Sequence, residues 1–308
     1  MNADNQSDHD QRLQRALLSL DGLSVGDAFG QSFFFVTAVT ADQRLEGRFI
    51  PPPPWFYTDD TVMGVAVTRC LQKHRAIEPD WLAKEFAKEY AREPDRGYGG
   101  TARGILQAIG EGVAWREAAG RVFDGEGSCG NGGAMRAAPI GAYFADDLQM
   151  VISHARKSAQ VTHSHEDGQT GAIAVALAAA WMVAQRDTSR PQELEMIRFV
   201  LANLPQTETY WRLKKALTLP HELSPKTAAL ILGNGSQVIS SDTVPFCLWC
   251  ACRHSDDYAE ALWAAVSVYG DMDTNCAIVG SLVALSTGHA GIPAEWLASR
   301  EPLNLEFQ

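Results

Sequence analysis

Positive charge is scarce in this chain: 26 Lys and Arg against 37 Asp and Glu leave 308 residues with a net charge of −11. No basic run occurs, which excludes a general affinity for nucleic acid or anionic membranes, since both need clustered Lys and Arg. A local pocket for a phosphorylated ligand is not excluded. Long hydrophobic runs are also missing. The longest candidate, Ala172 to Ala184, falls short of the roughly 18 apolar residues that span a bilayer and reads as a buried Ala-rich helix. The N-terminus is polar, without the basic start and apolar stretch of a signal peptide, so a cytoplasmic location is expected. Six cysteines form no framework. Cys247 and Cys250 could begin a zinc site, but His254 is the sole further ligand nearby, so buried free thiols are expected. Strand signals reduce to Ser32 to Thr40, an isolated β-rich stretch expected to be a packed loop.

Helical periodicity fills most of the remainder. Apolar spacing predicts helices over Gln11–Leu20, Asp59–His74, Asp80–Arg92, Asp146–Ala159, Thr170–Gln185, Gln192–Leu201, Lys226–Leu232, Asp257–Tyr269 and Thr274–Ser286. An all-α helical bundle follows. No repeat or linker marks a boundary, so one domain over 1–308 is expected, with 1–10 a flexible tail.

Two acidic clusters open helical runs at opposite ends of the chain: Thr58-Asp59-Asp60-Thr61 and Asp271-Met272-Asp273-Thr274. A single Asp at a helix start needs only capping to explain it. Paired carboxylates at both starts exceed that need and would repel unless protonated or compensated by cations. Carboxylate and hydroxyl oxygens suit Mg²⁺ or Mn²⁺. If the clusters meet, they form a cage for one or two such ions. Glycine-rich connections, Gly97-Tyr98-Gly99-Gly100, Gly125 to Gly133 and Gly233-Asn234-Gly235, allow close approach of backbone to a ligand. For the first and third, helix capping and turns are the simpler reading.

In order, the chain carries Gly26-Asp27-Ala28-Phe29-Gly30, Tyr57-Thr58-Asp59-Asp60-Thr61, Gly130-Asn131-Gly132-Gly133-Ala134-Met135-Arg136, Thr162-His163 and Gly270-Asp271-Met272-Asp273-Thr274. This succession resembles the ADP-ribosylglycohydrolase family, which includes ADP-ribosylarginine hydrolases and the dinitrogenase reductase-activating glycohydrolase. The likeness runs from about Leu17 to Ile292. It implies an all-α fold with a central cleft holding two Mg²⁺ or Mn²⁺ ions. Thr58, Asp59, Asp60, Asp271, Asp273 and Thr274 match the family's metal ligands. Ser128, Cys129, Gly130, Asn131 and Gly132 match the loop that receives the diphosphate and distal ribose of ADP-ribose. Met135, His163, Tyr98, Gly99 and Phe123 match further ligand-lining positions. The implied partners are ADP-ribose, an ADP-ribosylated protein and a cognate ADP-ribosyltransferase, with a monomer as default.

The implied reaction frees ADP-ribose from a modified side chain, with arginine expected from the likeness to the bacterial branch. Asp59 or Asp60 would orient the attacking water or take its proton. Many family members have a glutamate soon after the first motif; here the nearest match is Gln31, which cannot act as a base. Val62 likewise stands where an acid is frequent. A protein that binds ADP-ribose, or blocks a toxin, without turnover is therefore the alternative, as is a hydrolase of ADP-ribosylserine or O-acetyl-ADP-ribose. Asp27 is expected to tie down a helix end, Arg136 to meet phosphate or a structural carboxylate, and Leu204–Pro225 to be a loop at the acceptor edge.

Overall fold

The computed structural model describes residues 3–34, 36–186 and 194–305. All its regular elements are helical, and seventeen α-helices are found among the described residues. The first five are α1 (Ala3–Gln31), α2 (Ala38–Gly47), α3 (Asp59–His74), α4 (Pro79–Arg92) and α5 (Gly100–Gly110). Short helices follow: α6 (Trp115–Gly120), α7 (Gly132–Met135) and α8 (Ala138–Tyr143). Then come α9 (Leu148–Gln160), α10 (Glu166–Gln185), α11 (Glu195–Ala202) and α12 (Glu208–Ala216). The chain closes with α13 (Pro225–Leu232), α14 (Ser240–Arg253), α15 (Tyr258–Val266), α16 (Met272–Thr287) and α17 (Ala294–Ser299).

Helices α1 and α16 form the central antiparallel pair, and a glycine strip explains their contact. A Cβ on Gly22, Gly26 or Gly30 would collide with the backbone carbonyls of Gly280, Cys276 or Met272 respectively. Residues four apart share a helix face, so this strip lets the two backbones touch along two turns. The contact brings the end of α1 beside the start of α16 and so unites the chain's two halves. Helix α10 is long and apolar enough to cross a membrane, but most of it is buried within the protein, where it packs on α8, α9, α14 and α16. Its hydrophobicity is that of a core helix surrounded by protein on nearly all sides.

Several expectations are corrected. The expected tail is helical from Ala3, and His9 is buried with its ring 2.7 Å from the Tyr143 hydroxyl. The β-rich stretch at 32–40 runs into α2, because the Thr37 side chain accepts from the Thr40 N–H and caps a helix there. Phe35 lies outside the described residues, as does the predicted start of a helix at Gln192. The expected loop 204–225 contains α12. The cysteine run lies on α14: Cys247 and Cys250 are buried free thiols, and no Cys or His metal cluster occurs among the described residues.

Candidate metal centre and ligand cleft

Helix α3 starts at Asp59, where Thr58 caps it by accepting from the Asp60 N–H at 3.3 Å. Asp27, wholly buried on α1, fastens this start from outside. Its carboxylate accepts from the N–H groups of Thr58 (2.9 Å) and Thr61 (3.0 Å) and from the hydroxyls of Thr58 (2.9 Å) and Thr61 (2.5 Å). The expectation that Asp27 ties down a helix end is met. It also joins a carboxylate group close enough to share one cation, since oxygens of Asp27, Asp60 and Asp273 all lie within 4.8 Å of one another. The chain ends therefore do meet.

The remaining acids of the cluster are held individually. Asn131 donates its amide to Asp271 at 2.6 Å and to the Thr243 hydroxyl at 3.0 Å. Asp273 accepts from the Thr274 N–H at 2.9 Å. Asp60 Oδ2 accepts from the Thr274 hydroxyl (3.5 Å) and lies 3.1 Å from the Thr58 hydroxyl, whose one proton Asp27 and Asp60 share. Asp60 Oδ1, although buried, has no hydrogen-bond partner. Burial and mutual repulsion push these carboxyls up, Asp59 to about 8 and Asp60 and Asp273 well above the usual carboxylate range. An oxygen-only donor set with an orphaned buried oxygen and crowded like charge fits a hard divalent cation.

Most of the cluster lines a cleft of about 490 Å³, a size common for small-molecule sites. Asp59, Asp60, Asp271, Asp273 and Thr274 line it, whereas Thr58 is turned to Asp27 and does not. The loop Ser128 to Gly132, with Met135, His163, Gly99 and Phe123, lines the rest. Tyr98 is excluded: its ring packs edge-on against Tyr90 at 5.1 Å and its hydroxyl is buried without a partner. Gln31 ends α1, half-buried, and is absent from the cleft lining. Phe123, mostly exposed, stands at the rim with positive φ.

In the glycine-rich loop, the glycines make room for a side chain. A Cβ at Gly130 or Gly132 would stand about 3 Å from the His163 ring. Part of the N–H supply expected for a diphosphate is already used, by Ser128 Oγ at Gly130 (3.1 Å) and by the Val238 carbonyl at Asn131 (3.2 Å). Sequence reasoning missed Gln237, Val238 and Ile239 as a cleft wall. That wall is fastened by Ser240 N–H to the Cys129 carbonyl at 3.0 Å, a pairing without any local signature. The capping reading of Gly233 holds, since its N–H closes α13. Gly97 does more than turn the chain, because a Cβ there would meet Asp59 Oδ1 at 3.3 Å.

Arg136 lines the cleft but makes no ion pair with a carboxylate among the described residues. Fully buried, its guanidinium donates to the carbonyls of Gly132 (3.0 Å) and Ser158 (2.8 Å) and to the Thr162 hydroxyl (2.9 Å), and it lies 4.6 Å from the Phe86 ring centre. The Thr162 hydroxyl is 2.7 Å from His163 Nδ1. Burial, aided by the Arg136 charge, pushes His163 down to about 3. His165 instead caps α10. The His163 shift has a signed consequence. The unfolded chain takes up this proton near pH 6.5, the folded one only near 3, so stability falls as pH drops below 6.5. The contribution is about 1.4 kcal/mol per pH unit well inside that window. In His163→Gln, chemical denaturation at several pH values is expected to show a correspondingly shallower acid loss.

The comparisons agree with this fold. The family model described as ADP-ribosylglycohydrolase matches residues 8–305. ADP-ribosylhydrolase ARH3 of Bos taurus is 30% identical over 278 residues, covering 80% of this chain and 74% of that protein. The ADP-ribosyl-[dinitrogen reductase] glycohydrolase of Rhodospirillum rubrum is 25% identical over 295 residues, covering 92% and 89%. Among solved structures, a chain of an ADP-ribosylglycohydrolase-related protein complex superposes with a TM-score of 0.64 at 23% identity, covering 94% of this chain and 93% of its own. With its motifs, helical fold and nearly full-length match, the chain belongs to the ADP-ribosylglycohydrolase family.

Proposed function

We propose that this protein is a metal-dependent hydrolase that releases ADP-ribose from modified protein side chains, with the arginine N-glycoside as the first linkage to test. The observation that carries this reading is the buried, unpartnered Asp60 Oδ1 within a three-carboxylate group beside a ligand-sized cleft. Asp27, Asp59, Asp60, Asp271, Asp273 and Thr274 would hold Mg²⁺ or Mn²⁺, which when bound would offset the crowded charge and polarise oxygens beside the scissile bond. Asp59, which lines the cleft, would orient water or take its proton. His163 stays neutral at physiological pH and so offers a hydrogen bond without a charge. Phe123 gives the rim an aromatic surface for the adenine end.

The serine linkage is the second reading. Arginine was expected from likeness to a bacterial branch, yet the Rhodospirillum glycohydrolase is less similar to this chain than bovine ARH3 is. The test is ADP-ribose release from ADP-ribosylarginine and ADP-ribosylserine peptides with Mg²⁺, and again with EDTA. EDTA-sensitive release from one of them is the expected result. Gln31→Glu is expected to alter the rate less than about threefold, because position 31 is outside the cleft lining. A silent parent rescued by Gln31→Glu would instead identify a binding protein.

A further inference from the structure

Behind the cleft wall lies a second cavity, also of about 490 Å³, and Gln237 lines both. Asn234 lines the second cavity too, and its carbonyl accepts from the Asp271 N–H at 3.3 Å and the Asn275 amide at 2.8 Å. The second cavity thus begins one residue from the acidic cluster. If the cluster holds the ribose beside the scissile bond, an acceptor polypeptide leaves the cleft on this side.

The lining of this groove suits a polypeptide of particular chemistry. Leu230 is 88% exposed and Ile231 42%, so α13 offers two apolar side chains to the outside. Lys226, one turn earlier, stands 5.9 Å from the Tyr269 ring centre and has no carboxylate partner among the described residues. Arg212 lies across from it, tied to Glu208 at 3.0 Å and to the buried Asp242 at 3.5 Å. Asp242 in turn accepts from the Gln237 N–H at 3.0 Å, which joins the groove to the cleft wall. Glu208 and Asp242 offset Arg212, which leaves Lys226 as the groove's cation without a carboxylate partner among the described residues, and complementary charge across an interface sets specificity and encounter.

We infer that the groove between α12 and α13 docks the acceptor polypeptide, with Lys226 selecting an acidic residue near the modified side chain and Leu230 and Ile231 receiving an apolar one. This rests on the hydrolase reading above, and its test separates the two. Short fluorescent peptides bearing one ADP-ribosylated arginine, flanked by Asp and Leu or by Lys and Ser, are bound on ice and followed by anisotropy. The parent should prefer the acidic peptide by about fivefold, the scale of one partly exposed charge pair. Lys226→Glu should erase or invert that preference, while free ADP-ribose binds as before. Leu230→Ser should weaken the acidic peptide alone. Lys226 and Leu230 are exposed, so folding is not at stake.

Equal affinity for both peptides, or an equal loss for both in Lys226→Glu, overturns the inference. A dimer of the parent that dissolves in Leu230→Ser also overturns it, by giving the groove to a second copy of the chain. Release of ADP-ribose is scored separately on the same peptides and on ADP-ribosylarginine and ADP-ribosylserine as single amino acids. No release from any of them defeats the hydrolase reading, while the anisotropy still decides the groove.

Discussion

Asp60→Asn is expected to lower ADP-ribose release by about a thousandfold while making the metal-free protein more stable. The two effects share one cause. Asp60 is buried among Asp27, Asp59, Asp271 and Asp273, and burial first, then this crowding, holds its carboxyl well above the usual range. Without cations the cluster opposes folding, and an uncharged isostere relieves that repulsion while retaining an acceptor for the Thr58 and Thr274 hydroxyls. With cations the balance reverses. A ligand that binds only the folded state at a hundred times its Kd adds about 2.7 kcal/mol. Thermal melting should therefore show the parent rising by several degrees on addition of Mg²⁺ and the variant hardly moving. In EDTA the variant should melt above the parent. A parent that melts identically with EDTA and Mg²⁺ would rule out the metal centre, whatever the activity of the variant.

Asp27→Ala should cost about 3–5 kcal/mol of unfolding free energy and abolish release as well. One carboxylate satisfies four donors on Thr58 and Thr61, all buried. Each donor left without a partner costs about 1–3 kcal/mol, less whatever the two hydroxyls recover by rotating. Loss of a charge from the cluster returns part of this, since Asp27 itself is pushed up to about 6 by burial. The start of α3 would then be free to move, and Asp59 and Asp60 with it. Urea denaturation in EDTA measures the cost. A loss below about 1 kcal/mol would mean that the capping Thr58 and the packing of α3 hold Asp60 in place without help from α1.

Some of this architecture was legible from local signals. Helix α3 was predicted over the residues it occupies, because Thr58 and two aspartates mark its start and a long apolar face follows. Helices α4 and α10 were recovered with their C-terminal ends in place. Helix α14 was not, because its sides are buried nearly all round, which erases periodicity, and Pro245 stands inside it. Helix α12 was taken for a loop because of its polar character and the short segments around it. The acidic cluster was found because adjacent carboxylates are conspicuous in any fold. Tyr98 is outside the cleft lining, since a side chain's direction depends on what packs against it, here Tyr90.

The sequence by itself determined the helical class, the negative net charge, the two acidic helix starts and the order of motifs. All of these are properties of neighbouring residues, and their physics acts over a few bonds or one helical turn. The tertiary structure decided what those residues do to one another. It aligned Gly22, Gly26 and Gly30 with α16 and so brought Asp27 to both Asp60 and Asp273. It seated His163 on the backbone of the glycine-rich loop and built a cleft wall from 237–239, more than a hundred residues away from that loop along the chain. Close backbone approach, burial and mutual repulsion arise only when distant segments pack, because only then is water removed from between them.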